Sequence, residues 1–301
     1  MVKVSIGVAY HKAQNFYPSK PYIPIQLGAA LNKDLGIQKD NEGDNISLLN
    51  PYCCELTATY WLWKNVKSDY KGLFHYRRFL SFQRENFFHK IPRFVLYYFS
   101  KFASVIIRDS RYSLMTFPFF QIKETDIENT LNIFIRDLEA DINVNSPDCY
   151  ALGKIKHSTN TKGKGVERVM SYWHLNKASS IIHENYPEFS VWFDKALNAS
   201  WFYACNIIIA KTEIFDDYCK TMFGILNKYH SFMNNGIKDG EINNAMFRDS
   251  GYLGEIITSA YIMMLENKGF CVKHLGLSQV DVSSDESQKG TSIKAFLKNI
   301  F

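Results

Sequence analysis

Apolar and polar positions along the chain fall into short runs that predict alternating strands and helices. Residues 2–10 (VKVSIGVAY) are rich in β-branched residues and read as a first strand ending in Tyr10, His11 and Lys12. Residues 13–26 (AQNFYPSKPYIPIQ) carry three prolines and read as loop. Gly28 to Leu31 reads as a short helix or turn, and KDNEGDNISLLNPY as a polar, turn-rich stretch. Asn50-Pro51 has the form of an N-cap followed by proline at the first helical position. The helix continues through CCELTATYWLWKN, with Leu56, Tyr60 and Trp63 on one face. Ala58 and Leu62 make the other face apolar too, so this helix should be buried. After VKSDYK, the stretch GLFHYRRFL (72–80) reads as a single strand.

Strand, loop, helix and strand in the first 80 residues are the opening of a doubly wound α/β domain. The later pattern continues it. Helices are predicted near 124–140, 166–185, 212–230 and 251–267, with strands at 205–211 and at GFCVKHLGL. The stretch 153–165 (GKIKHSTNTKGKG) reads as a loop, and there is no internal repeat. A length of 301 residues suits one domain spanning 1–301.

Composition adds three constraints. Hydrophobic residues make up 46% and charged residues 22%, enough for a core without staples. The formal charge of +5 is too diffuse to predict nucleic-acid binding and suits an anionic small molecule or membrane surface. The six cysteines include no CxxC pair and are expected to be reduced, small buried hydrophobes. With no apolar leader-like stretch at the first residues and no run of 18 apolar residues, the sequence predicts a cytoplasmic protein without a spanning segment.

One segment stands apart. Residues 84–114 interleave Arg84, Lys90, Arg93, Lys101, Arg108 and Arg111 with Phe87, Phe88, Phe94, Tyr97, Tyr98 and Phe102. A helical insertion over 84–120 of this aromatic and basic character fits peripheral contact with an anionic membrane. Packing against the core with snorkelling cations is the alternative.

The candidate chemistry centres on His75, Tyr76, Arg77 and Arg78. In an extended strand His75 and Arg77 would share one face and Tyr76 and Arg78 the other. Two arginines at the end of a buried strand need anionic partners. A diphosphate suits guanidinium groups well, and structural ion pairs with Asp40, Asp44 or Glu55 would serve equally. The residues alone leave both open. The sequence has no GxGxxG, GxxxxGK[ST] or GxSxG, no metal-like histidine spacing, and no DxD-type pair at a strand end.

The stretches DNEGDNISLLNPYCCELTATYWLWKN, DYKGLFHYRRFL, CNIIIAKTEIFDDYC and RDSGYLGEIITSAYI resemble a family of bacterial capsular and exopolysaccharide glycosyltransferases, formerly known only as a domain of unknown function. The likeness runs from His11 to about Tyr261 and is thin between 84 and 200. It implies a GT-A-like nucleotide-sugar-binding domain with a mixed sheet. It further implies transfer of a hexosyl group from a UDP-sugar to a polyprenyl-diphosphate-linked saccharide, with UDP-galactofuranose a candidate donor. HYRR stands where related folds carry a DxD, so the expected reaction is metal-independent, with cations neutralising the diphosphate; its expected stereochemical outcome is inversion. On this likeness Tyr10, His11, Lys12, Gln26, Gly28, Asp44, Asn45, His75, Tyr76, Arg77, Arg78 and Arg248 are expected at the donor. Asn206 and Tyr252 are expected at the acceptor, and Glu255 as catalytic base. Glu55 is expected to orient Arg77 or Arg78. A non-catalytic polysaccharide- or membrane-binding assembly protein is the competing expectation.

Overall fold

The computed structural model describes residues 2–83, 119–156, 170, 172–199, 201–234 and 246–280. The aromatic and basic segment from 84 to 118 lies outside the described residues; Phe119 and Phe120, at the end of the expected insertion, belong to a strand.

The frame is a nine-stranded mixed sheet. Its strands are β1 (Val4–Tyr10), β2 (Tyr22–Gln26), β3 (Gln38–Lys39), β4 (Tyr70–His75), β5 (Arg78–Ser81), β6 (Phe119–Ile122), β7 (Cys149–Leu152), β10 (Ile208–Lys211) and β11 (Val272–Val280). β1 is central and wholly buried, paired in parallel with β2 on one side and β4 on the other. β10 lies antiparallel between β4 and β7, and β7 runs parallel to β11. β5 leaves β4 through the single pair His75–Arg78 and then runs antiparallel along β11. Two short strands, β8 (Ile155–Lys156) and β9 (Trp201–Phe202), form a separate ribbon.

Strand alternation divides the core into two layers. Ile6 and Val8 of β1 and Phe74 of β4 face a layer that includes Phe134 and Leu138 of α3 (Ile127–Asn145). Ala9 and Leu73 face the other layer, with α1 (Asn50–Cys53), α2 (Leu56–Asn65), α4 (Tyr172–Asn185), α5 (Pro187–Asn198), α6 (Thr212–Met233) and α7 (Asp249–Asn267). Helices on both faces of a mixed sheet, whose β3-β2-β1-β4 run is parallel, give the expected α/β class. Gly72 marks where β4 and β10 approach closest: a Cβ there would lie 2.6 Å from the Ile208 carbonyl.

Four local expectations change. The stretch 72–80 is not one strand but a tight hairpin, with Tyr76 and Arg77 in its turn. Backbone bonds from Tyr76 N–H to the Ala9 carbonyl and from Val280 N–H to the Arg77 carbonyl hold that turn. Residues 22–26 form a strand despite Pro24, because β3 pairs only with Ile25 and Gln26 and leaves no ladder at Pro24 on that edge. The helix expected from Asn50 is broken at Cys54, whose φ is 51° and whose Sγ faces Gly251 of α7. Asn50 is therefore not an N-cap by its side chain: its Nδ2 donates to the Cys54 carbonyl at 2.9 Å and spans the break. Finally, α5 is a helix the periodicity reading omitted. All six cysteines are free thiols.

Candidate active site

The carboxyl ends of β1 and β4, the β4–β5 turn and the first turns of α7 enclose a cleft of about 830 Å³. Its walls include His11, Glu55, His75, Tyr76, Arg77, Arg78, Arg248, Tyr252 and Glu255. The hairpin explains how both adjacent arginines face one space. A continuous strand would have sent them to opposite faces, whereas Arg77 in the turn and Arg78 at the first position of β5 both reach the cleft.

The cationic side is assembled from three elements. Arg77 lies over the Tyr76 ring, its Cζ 4.7 Å from the centroid. Arg78 Nη1 donates to Cys205 Sγ at 3.3 Å. Arg248 stands just before α7 with φ 63° and stacks toward Tyr252 at 5.7 Å. Burial lowers the proton affinity of His11, and the charges of Lys12, Arg77 and Arg248 lower it further. His75 is also depressed, by burial first, although Glu55 opposes the shift. The imidazoles are thus biased to the neutral state, and the guanidinium groups carry the positive charge.

Two carboxyl groups complete the cleft. Burial and the Glu55 charge push the Glu255 carboxyl up to about 7. Its Oε1 accepts the Cys205 N–H at 2.8 Å. Glu55 Oε1 accepts from Asn206 Nδ2 at 2.8 Å and lies 3.8 Å from His75 Nε2. The expected Glu55–arginine pairing is therefore replaced by a pairing with Asn206 and His75. Cys205 and Asn206 are consecutive non-glycine residues in the left-handed region, with φ of 71° and 50°. Strained backbone of this kind is concentrated at functional sites. Here it aims one N–H at Glu255, one carbonyl at His75 (2.9 Å) and one amide side chain at Glu55. No group of three or more His, Cys, Asp or Glu residues is placed to hold a metal ion among the described residues.

Several expected donor residues sit outside the cleft wall. Tyr10 is buried against Tyr17 and Tyr76, and Lys12 is exposed beside His11. Gln26 is buried and spans its own loop, donating to the Lys33 carbonyl and accepting from Leu35 N–H. Gly28 has φ 58°, and a Cβ there would meet Asn50 Oδ1 at 2.7 Å, so the glycine serves loop packing. Asp44 accepts from Tyr60, and Asn45 donates to the Asn41 and Gly43 carbonyls, in a turn remote from the wall. Asn206 lies behind Glu55, not on the wall. Asp40, a possible partner for the arginines, instead accepts from Gly28 and Ala29 N–H and from the hydroxyls of Ser47 and Thr57.

The sequence reading did not single out Cys54, Leu31, Asn32, Phe247 or Gln279, all of which line the cleft. It also missed Cys205. The glycine and turn signals were adequate for the 28–32 loop, but no residue-type rule points to a left-handed cysteine.

Comparison with known proteins gives a consistent result. The bifunctional glycosyltransferase WbbM, solved in its apo form, matches 93% of this chain at 27% identity with a TM-score of 0.70. This chain spans 45% of that protein's length. No match is found among curated proteins. A family model described as a domain of unknown function, DUF4422, matches residues 5–268, and the chain belongs to that family.

Proposed function

We propose that this protein is a glycosyltransferase using a nucleoside-diphosphate sugar, with its donor diphosphate held by Arg77, Arg78 and Arg248. The observation that carries the reading is the convergence of these three guanidinium groups with half-buried Glu255 in one cleft. The likeness to WbbM supports the same reaction class. The parallel β3-β2-β1-β4 order, with the cleft at the strand ends, supports a GT-A-like nucleotide site.

In the proposed reaction the acceptor hydroxyl oxygen attacks the anomeric carbon of the donor sugar. Glu255 takes the hydroxyl proton as the new C–O bond forms. The bond from the anomeric carbon to the diphosphate oxygen breaks, and its electron pair leaves on the nucleoside diphosphate. The arginines neutralise that developing charge, the role a divalent ion plays elsewhere. This assignment makes the reaction metal-independent and, with a single base, inverting. UDP-galactofuranose is the proposed donor and a polyprenyl-diphosphate-linked saccharide the proposed acceptor, both on the family resemblance. Tyr252 and Tyr76 offer aromatic faces to sugar rings.

The test is incubation of the purified protein with a panel of UDP-sugars and a synthetic polyprenyl-diphosphate saccharide. Free UDP together with a new glycosidic product supports the reading. Absence of both across the panel, under conditions where UDP binds, counts against transfer and favours a binding role.

A further inference from the structure

Glu55 lies one residue before α2 and is far from Glu255 in sequence, yet both carboxyl groups line the same cleft. We propose that Glu55 is a positioning residue for Glu255: held by Asn206 in the same cleft, it is part of the charged surroundings in which Glu255 accepts a proton. The proposal deepens the reading of Glu255 as base and rests on that reading for its meaning.

The geometry for this role is built, not incidental. Asn206 is itself fully engaged. Its Nδ2 donates to Glu55 at 2.8 Å and to the Gly251 carbonyl at 3.1 Å, and its Oδ1 accepts from Thr258 at 3.1 Å. Gly254 permits this arrangement, because a Cβ there would lie 3.1 Å from Asn206 Oδ1 and 2.8 Å from Leu56 Cδ1. The residue before Asn206 supplies the N–H that holds Glu255. One strained turn therefore holds both carboxyl groups, Glu255 through the Cys205 N–H and Glu55 through the Asn206 side-chain amide.

The other charges facing Glu255 come from β5 and from the approach to α7. Arg78 and Arg248 favour its ionised form, and Glu55 opposes it. His75, on β4, is depressed by burial and so does not neutralise Glu55 as a fixed cation. Removing the Glu55 charge leaves burial to oppose the two arginines. Glu255 should then lose its proton at lower pH.

The experiment is a carboxyl-carbon NMR titration of protein labelled at glutamate, with the Glu255 signal identified by its loss in Glu255→Gln. It needs no substrate, so it is read independently of the transferase assay. In Glu55→Gln the Glu255 midpoint should fall by about one pH unit, the size of a shift from one nearby charge. A midpoint unchanged to within about 0.2 units, in protein of native spectrum, overturns the proposal. A second variant, Glu55→Asp, keeps the charge and should leave the Glu255 midpoint near the wild-type value; a fall as large as that of Glu55→Gln contradicts the coupling.

Discussion

At the scale of single residues, Glu255 carries the sharpest consequences. If it takes the acceptor proton, Glu255→Gln should lower turnover by about 10²- to 10⁴-fold. Nucleotide binding, measured by calorimetry, should be largely retained. Because burial and Glu55 raise its proton affinity to about 7, the wild-type rate should climb as pH rises through 7 and then level. The same shift has a stability sign. The folded pKa lies above the unfolded one, so the folded state is favoured by protonation at acid pH. That contribution disappears as pH rises through about 7, at a cost of about 3 kcal/mol at most. Glu255→Gln keeps an acceptor for the Cys205 N–H without the charge. It should therefore melt higher than wild type at pH 8 and no higher at pH 4, as read by thermal denaturation at both values. A variant that melts lower at both would show the charge to be a structural asset.

At the scale of elements, the HYRR stretch shows what a sequence can and cannot display. Its residue types mark a cationic cluster, and all four residues line the cleft. The turn at Tyr76-Arg77 was not legible, because neither residue is a usual turn former; the backbone bonds to Ala9 and Val280 impose it from outside the stretch. Asp40 is a second case. Nothing near it in sequence announces that its carboxylate will gather donors from Gly28, Ala29, Ser47 and Thr57. Replacing it by alanine should leave several buried donors unpaired and cost about 3 kcal/mol or more. Chemical denaturation would measure that loss, and a cost below about 1 kcal/mol would contradict the role. By contrast α5 was legible and overlooked. Phe189, Phe193 and Ala196 recur at i, i+4 and i+7 behind a proline at the helix start. At β4, Gly72→Ala should be poorly tolerated, since a Cβ there meets the Ile208 backbone carbonyl at 2.6 Å as well as Ile209 Cγ1 at 2.5 Å.

At the scale of the whole molecule, the α/β class and most helices follow from periodicity, because long amphipathic segments need only local pattern. The cleft does not. It is made by residues from β1, the α1–α2 break, the β4–β5 turn and α7, separated by up to about 250 positions. What sequence supplied was the list of polar and charged candidates, and what the fold supplied was their placement: Arg77, Arg78, Arg248 and Glu255 on the wall, Gln26, Asp44 and Asn206 off it. Among the described residues no helix is long and apolar enough to cross a membrane. The central claim concerns that selection, namely that guanidinium groups and not a divalent ion hold the donor diphosphate. The most direct measurement is UDP binding by calorimetry, with and without chelator, for wild type and Arg77→Ala. The account predicts binding that survives chelation and weakens at least tenfold in the variant. Binding that appears only with added Mg²⁺ or Mn²⁺, or that is unchanged by Arg77→Ala, would contradict it.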